Sequence, residues 1–546
     1  MSGTLPFELD LNVEFREALQ IMEETSENLL VTGRAGTGKS TLLDYFRSIT
    51  KKKIVVLAPT GVAAVNVAGQ TIHSFFRFQP NATPDKIRRI NDSIYQQLDA
   101  IVIDEVSMVR ADLLDLIDAF MRKNGRTKGA PFGGIQMIFI GDLYQLPPVV
   151  TRDERDYLES RYESEYFFDS DVFSEVEFEL VELEKVYRQT DANFIGLLNG
   201  IRNRSIDERE LELINARLLA DDKPPHGGVG HGELLHGELP GSELPHGEPR
   251  LGAPPNGAEF PKGAIHLTTT NAMARERNEA ELATLAGKTH SFEARLEGDF
   301  DEKSLPTDPV LNLKKGAQVM LLNNDSQGRW VNGTIGVLEG IKKAALVVRL
   351  AGGLEEVEPV TWNRYRFVWN KETKSVASEV IGAFTQFPVK LAWAVTIHKS
   401  QGKTFDSIVV DIGRGTFAPG QLYVALSRCR TLEGVFLKKP IRKSHIWLDW
   451  RVVKFMTGYQ YERSDRLLSL EEKIGLLEEA IADGLAIEMT YLKPDDTKSR
   501  RTVRPMRVED MEFKGKSFLG MRAFCMKRQA ERTFRIDRIL EMAIAE

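Results

Sequence analysis

The stretch from Asn28 to Phe46 constrains this chain more than any other. It opens with the apolar run Asn28–Leu29–Leu30–Val31–Thr32 and passes into Gly33–Arg34–Ala35–Gly36–Thr37–Gly38–Lys39–Ser40. It then continues as the helical Thr41–Leu42–Leu43–Asp44–Tyr45–Phe46. Strand, glycine-rich loop and helix in that order form a P-loop. Glycines let backbone N–H groups close around phosphate oxygens at a helix N-terminus. Lys39 brings charge to the β- and γ-phosphates, and the Ser40 hydroxyl can ligate Mg²⁺. A tight structural turn is the competing reading, and the flanking strand and helix argue against it. Gly33, Ala35, Gly36, Thr37, Gly38, Lys39, Ser40 and Thr41 are therefore the expected ATP-binding residues.

A P-loop needs a parallel sheet around it, and the chain has the matching rhythm. Apolar runs at 29–32, 54–58, 100–103 and 137–140 alternate with helical stretches, which reads as α/β. Similar runs return at 264–267, 389–394, 407–410 and 435–437, predicting a second α/β unit. Between them, the Val-, Thr-, Trp- and Gly-rich segment 313–380 reads as an inserted β-barrel. A length of 546 residues agrees with several folding units, and 42% hydrophobic residues supply their cores. The segment 221–263 is crowded with Gly and Pro and repeats His–Gly–Glu; it cannot pack a core, and no chemistry is assigned to it.

Two further strand ends carry chemistry. Ile101–Val102–Ile103 runs into Asp104–Glu105, where Asp104 would hold Mg²⁺ and Glu105 would act as general base on the attacking water. By itself an acidic pair after a strand is usually just solvated, and the P-loop changes that reading. Gly141–Asp142–Leu143–Tyr144–Gln145–Leu146–Pro147–Pro148 also follows an apolar strand, and Gln145 there can report the γ-phosphate to the rest of the protein. Charge that develops in phosphoryl transfer also needs cations. Arg188 in Tyr187–Arg188–Gln189 and Arg428 in Ala425–Leu426–Ser427–Arg428 are the candidates. If both reach the phosphate, ATP lies in a cleft between the two units.

With these motifs the chain resembles the Pif-type branch of superfamily-1 helicases, over about residues 11–438. The carrying residues include Ala58–Pro59–Thr60–Gly61–Val62–Ala63–Ala64, Gln70–Thr71–Ile72–His73–Ser74–Phe75–Phe76 and Pro131–Phe132–Gly133–Gly134. They also include Thr396–Ile397–His398–Lys399–Ser400–Gln401–Gly402–Lys403–Thr404–Phe405 and Gln421–Leu422–Tyr423–Val424–Ala425–Leu426–Ser427–Arg428. The resemblance implies two RecA-like P-loop domains, over 1–185 and over 186–312 with 381–440, and an SH3-like character for the barrel. It implies Lys39, Glu105, Gln145, Arg188 and Arg428 as catalytic residues, Gly402 as a further ATP contact, and ATP with Mg²⁺ as cofactors. ATP-driven 5′-to-3′ movement on single-stranded DNA follows, with unwinding of duplex, RNA–DNA hybrid and G-quadruplex. Roles in DNA repair, recombination and telomere maintenance belong to the same expectation. Thr60, Gly61, Val62, Thr71, His73, Asn271, His398, Lys399 and Ser400 match strand-contacting positions; of Phe75, Phe76 and Phe78, one could be a base platform, with Phe75 the candidate contact, while buried core is the reading for at least two of them. The adenine-contacting Gln of the family is replaced by Phe15.

Beyond residue 450 the text changes. A charged linker over 441–472 is expected, followed by an α+β module over 473–546 that resembles a WYL domain through Tyr491, Arg504–Pro505, Arg522–Ala523–Phe524–Cys525 and the run Arg532 to Ile539. From Lys498 to Arg538 there are thirteen Lys/Arg against five Asp/Glu, in a chain of formal net charge −7. With Phe518 and Phe524 interleaved, Arg522 and Arg535 are candidate DNA contacts. Two cysteines, Cys429 and Cys525, cannot shape the fold by disulfides, and no apolar run is long enough to span a membrane. A cytoplasmic, monomeric protein that binds single-stranded DNA and single-strand/duplex junctions is the expectation. The rival is a non-translocating ATPase switch acting on a protein partner.

Overall fold

The computed structural model describes residues 11–78, 82–219, 263–300, 305–370, 372–493, 498–513 and 515–545. Most of the Gly/Pro-rich stretch 221–263 lies outside the described residues.

Six strands build the first unit: β1 (Asn28–Gly33), β2 (Ile54–Ala58), β3 (Gln70–Thr71), β4 (Ala100–Ile103), β5 (Gln136–Ile140) and β6 (Phe178–Leu183). Their spatial order is β3-β2-β4-β5-β1-β6, and every neighbouring pair is parallel. Because successive side chains point to opposite faces, each strand feeds two cores. Leu29, Val31, Val56, Val102, Ile138 and Ile140 pack with Phe15, Met22, Leu42 and Phe46 from the helices Val13–Glu24 and Lys39–Ile49. Leu30, Leu57, Ile101, Ile103 and Phe139 pack on the other face with Leu114, Ile117 and Phe120 from the helix Ala111–Asn124. Burial on both faces explains why these strands read as unbroken apolar runs. With all strands parallel, the loops after β1, β4, β5 and β6 leave from the same edge, which is where α/β sheets bind ligands.

The second unit holds a four-stranded parallel sheet in the order Ala394–Thr396, Ile265–Thr268, Ile408–Asp411, Val435–Leu437. Its core takes Phe194, Leu197, Leu198 and Ile201 from the helix Ala192–Arg202, and Leu422 to Leu426 from the helix Gln421–Leu426.

The inserted β structure is wider than 313–380. A five-stranded antiparallel sheet runs Gly353–Val357, Leu346–Leu350, Ile335–Ile341, Gln318–Leu321, Val389–Leu391. A second sheet joins the long hairpin Val360–Asn370 and Ser375–Gln386 to Arg295–Gly298, and Val310–Leu313 pairs with His290–Glu293. The insertion therefore spans 290–391, and the second unit's sheet resumes at Ala394. The strands over 290–298 escaped the sequence reading because they are short and mostly exposed, so no apolar run marks them.

The hairpin crosses back to the first unit. Phe367 donates its backbone N–H to Gln70 Oε1 at 3.3 Å, Arg364 Nη2 donates to Ser74 Oγ at 3.3 Å, and the Phe367 and Phe75 ring centroids lie 6.3 Å apart. Phe75 is 3% exposed and also meets Phe76 and Tyr95 edge-on. The expectation of Phe75 as a base platform is corrected: its ring belongs to an aromatic core and has no free face. Phe75→Ala should therefore cost about 3–5 kcal/mol and bring the first unit's thermal unfolding to a lower temperature. An unchanged melting profile would return the ring to the surface.

The expected linker over 441–472 is also corrected. Trp450–Leu467 is a helix capped by the Asp449 side chain, with Val452 and Met456 buried in the first unit's core and Phe455 stacked on Phe168 at 4.4 Å. Its charged residues, which made it read as a connector, form ion pairs along the first unit: Arg451–Glu165, Lys454–Glu163, Arg463–Glu17 and Arg466–Glu179. The C-terminal module follows as the helix Leu470–Ala482 against a five-stranded antiparallel sheet, ordered Ala530–Arg535, Lys516–Cys525, Lys498–Phe513, Ile487–Leu492, Ile539–Ile544. Among the described residues no helix is long and apolar enough to cross a membrane.

Candidate nucleotide and nucleic-acid sites

The loop after β1 is shaped to take an anion. The helix Lys39–Ile49 starts from Gly38 in a left-handed conformation with no side-chain cap, which leaves its first N–H groups for a ligand. Gly36, at φ +84°, lies against Arg188; a Cβ there would stand 2.5 Å from the Arg188 Cβ, so no other residue fits. Lys39 Nζ donates to the Gly33 and Arg34 carbonyls at 2.7 and 2.9 Å. Burial pulls the Lys39 ammonium down from its ordinary range, opposed by the carboxylates of Asp142 and Glu105. Ser40 and Thr41 are exposed at the start of the helix.

Asp104 and Glu105 follow β4 as the sequence predicts. Burial raises both carboxyls above the usual range; Asp104 raises Glu105 further, and Lys39 opposes. Glu105 holds a left-handed backbone, φ 52°, unusual for a residue with a side chain. Two desolvated carboxylates with an exposed hydroxyl from Ser40 make an oxygen-rich set, which suits a hard divalent cation such as Mg²⁺.

Second-unit residues close the site. Gln401 Nε2 donates to Glu105 Oε2 at 3.0 Å and to Gln145 Oε1 at 3.1 Å, with Gly402 next to it. Arg428 is 1% exposed; its guanidinium donates to Val424 O at 2.9 Å, Lys403 O at 3.3 Å and Ser427 Oγ at 2.9 Å. Arg188 Nη1 reaches Ser427 O at 3.3 Å, and Gln189 Nε2 bonds Ser427 O and Cys429 O. Burial lowers both arginines, and each is near enough to the other or to Glu105 to feel its charge. Two desolvated guanidiniums beside a lysine are unfavourable together without an anion. Lys39, Glu105, Gln145, Arg188 and Arg428 thus meet in one cleft between the units.

Gln401, Tyr423, Asp142 and Arg202 also belong to this cleft and were not singled out from sequence. The first three stand inside motifs already quoted. Arg202 had only a weak signal, a charge on the same helix face as Leu198 and Ile201. Phe15 lies beside the loop: a Cβ on Gly38 would meet its ring at 3.0 Å. Being 2% exposed and apolar, it offers no hydrogen bond to a base.

The strand-contacting candidates divide between the units. Thr60 follows β2 and Thr71 ends β3, and their hydroxyls accept from Ala63 N and Ser74 N and cap the short helices Gly61–Asn66 and Ile72–Phe76. Gly61 starts the first of these, Val62 is exposed beside it, and His73 is exposed on the second. On the second unit Asn271 is exposed at the start of the helix Asn271–Thr284, one strand away from His398 and exposed Lys399. Ser400 is corrected as a contact: it is fully buried and its hydroxyl donates to Ile397 O at 2.7 Å. Phe417, 54% exposed and stacked on His398 with centroids 6.3 Å apart, is an aromatic the sequence reading passed over.

In the C-terminal module, Arg522, Phe518 and Arg535 share one face of the sheet, with the Arg535 guanidinium 5.2 Å from the Phe518 ring. Each arginine is paired, Arg522 to Glu509 at 3.0 Å and Arg535 to Asp537 at 2.5 Å.

Known proteins resemble this chain over most of its length. Residues 11–210 match the model of the PIF1-like helicase family, and residues 472–544 match that of the WYL domain. An ATP-dependent DNA helicase Pif1 from Bdellovibrio bacteriovorus is 31% identical over 451 residues, covering 80% of this chain and 90% of that protein. The crystal structure of a Bacteroides Pif1 in complex with ADP-AlF4 is similar with a TM-score of 0.70 at 34% identity, covering 83% of this chain and 98% of that one. A Bacteroides Pif1 bound to single-stranded DNA has a TM-score of 0.57 at the same identity and coverage. The two parallel-sheet units are thus the RecA-like core of such proteins.

Proposed function

Since this chain belongs to the PIF1-like helicase family, and is on that footing an ATP-dependent DNA helicase, we propose that it moves 5′ to 3′ along single-stranded DNA and separates duplexes ahead of it. The observation that carries the reading is the cleft itself. Lys39 and Glu105 come from one unit, Gln401 and Arg428 from the other, and Gln401 bonds Glu105 and Gln145 across it. A nucleotide held there touches both units, so its arrival, cleavage and departure change how they sit.

In this mechanism Lys39 and the free N–H groups of its helix hold the β- and γ-phosphates. Ser40 and Asp104 would hold Mg²⁺, which supplies positive charge to the phosphate oxygens. Glu105 takes the proton of the attacking water, a task for which its raised pKa suits it, while Gln145 orients that water. Arg188 and Arg428 offset the charge that develops on the transferred phosphoryl group. Phe15 leaves the base without a hydrogen-bonding partner at that position, so selectivity for adenine should be weak.

DNA lies across the strand ends of both units, against Thr60, Gly61, Val62, Thr71 and His73 on one and Asn271, His398 and Lys399 on the other. Hydroxyl, imidazole, amide and ammonium groups grip phosphate and sugar without reading sequence. The 290–391 insertion is read as an SH3-like barrel. The WYL-like module offers Arg522, Arg535 and Phe518 to single-stranded DNA. RNA–DNA hybrids and G-quadruplexes are further substrates in this reading.

A strand-displacement assay tests it. A duplex with a 5′ single-stranded tail should be opened with ATP at least about tenfold faster than one with a 3′ tail. Equal rates, or preference for the 3′ tail, would overturn the polarity. DNA-stimulated ATP hydrolysis with neither duplex opened would return the chain to an ATPase switch.

A further inference from the structure

Tyr423 lies on the second unit's helix Gln421–Leu426, yet both of its polar contacts are to the first unit. Its Oη accepts a hydrogen bond from the Ala35 backbone N at 2.9 Å and donates one to Asp142 Oδ2 at 3.1 Å. A phenol has one hydrogen to give, so that hydroxyl is committed at once to the P-loop and to the loop after β5. Tyr423 is 3% exposed and Asp142 fully buried.

Asp142 in turn sets the loop around it. The same Oδ2 accepts from Gln145 Nε2 at 3.2 Å, and Oδ1 accepts from the Tyr144 backbone N at 3.2 Å. From the second unit's helix Ala192–Arg202, Arg202 places Nη2 at 3.7 Å from Asp142 Oδ1 and its guanidinium 3.8 Å from the Tyr144 ring centroid. Arg202 Nε and Nη2 are buried and have no hydrogen-bond partner among the described residues. The approach is closed further at Gly420, φ +70°, where a Cβ would stand 2.4 Å from the carbonyl oxygens of both Tyr144 and Gln145. The second unit's helix therefore starts directly on the backbone that carries Gln145.

We propose that Tyr423, acting with Arg202 through Asp142, is a positioning residue for ATP hydrolysis. It fixes the Ala35 amide and the Gln145 side chain relative to each other only when the two units are closed. Its hydroxyl acts through the Ala35 N–H and the Asp142 carboxylate to which it is bonded. Opening the cleft breaks both of its bonds and hands the Ala35 N–H and the Asp142 carboxylate to water, so the link between them exists only in the closed state. Hydrolysis is thereby tied to the closed cleft. The inference rests on Gln145 and the two-unit ATP site having the roles given above.

Tyr423→Phe removes the hydroxyl and keeps the ring. In the full chain with single-stranded DNA, the kcat for ATP hydrolysis should fall about 10- to 100-fold, with the KM for ATP within about threefold of wild type. ADP should bind as in wild type, while ADP with aluminium fluoride, which mimics the transferring phosphoryl group, should bind more weakly by a factor similar to the kcat loss. Asp142→Asn should show the same split, and it carries the test if Tyr423→Phe unfolds at the assay temperature. The double variant should be little worse than either single one, because both lose the same link. A kcat within twofold of wild type, independent losses that multiply, or equal weakening of ADP and its aluminium fluoride complex would each overturn the proposal; the last would mark a merely structural role. Wild type and Lys39→Ala run alongside separate the two levels of failure. If wild type hydrolyses no ATP, the functional reading fails and takes this inference with it. If wild type is active and both single variants match it, this inference alone fails.

Discussion

Lys39→Ala should reduce DNA-stimulated ATP hydrolysis by about 10³-fold or more and abolish strand displacement, with the protein still folded. Lys39 opens the helix at the end of the phosphate loop, and around it stand Asp142 and Glu105, both of which favour its charged form. Removing it takes positive charge from the phosphates in a dry site, where a single lost donor already costs 10²- to 10³-fold in rate. The fold should tolerate the loss, since Lys39 Nζ bonds only the Gly33 and Arg34 carbonyls, which water can satisfy. The measurements are steady-state ATPase with single-stranded DNA, strand displacement, and thermal unfolding. Unwinding that survives the substitution would end the ATP-driven reading.

Arg428→Ala should cost about 10³-fold in kcat, at the low end of the range for an arginine that stabilises phosphoryl transfer. Arg428 stands beside Glu105 and Arg188 and comes from the unit opposite the P-loop. Its loss should therefore act on the closed cleft and spare initial nucleotide capture by the first unit. Affinity for single-stranded DNA should remain within about threefold, because Thr60, His73 and Lys399 do not depend on it. Burial makes the substitution a structural risk, as Val424 O, Lys403 O and Ser427 Oγ all lose a donor. Thermal unfolding and DNA binding on the same preparation separate a damaged fold from a lost charge. Wild-type kcat in a folded Arg428→Ala protein would exclude the arginine from the phosphate site.

Much of this site was legible in the sequence because its parts are local. A P-loop, an Asp–Glu pair and Gly141–Pro148 each lie within a few residues, at the end of an apolar run, and a parallel sheet brings such ends together without further instruction. The cross-cleft bonds were not legible. Gln401 meets Glu105, and Tyr423 meets Ala35, across hundreds of residues, and nothing in local pattern states which side chains will face each other. Phe75 was open for a different reason: its aromatic ring suits a base as well as a core, and its packing against Phe76, Tyr95 and Phe367 decides between them. Ser400 failed, since a hydroxyl that answers its own turn looks in sequence like one free for phosphate. In the Trp450–Leu467 helix the charges hid a packed face, because Val452, Phe455, Met456 and Tyr459 are too few to outweigh them in composition.

The long hairpin Val360–Asn370 and Ser375–Gln386 is rooted in the second unit's insertion and rests on the first through Phe367, Arg364 and Trp369. Strands of eleven and twelve residues make a twisted ribbon of roughly 35 Å. Because it is rooted in one unit and bonded to the other, any change in how the two units sit must bend this ribbon or break the contacts of Phe367 and Arg364.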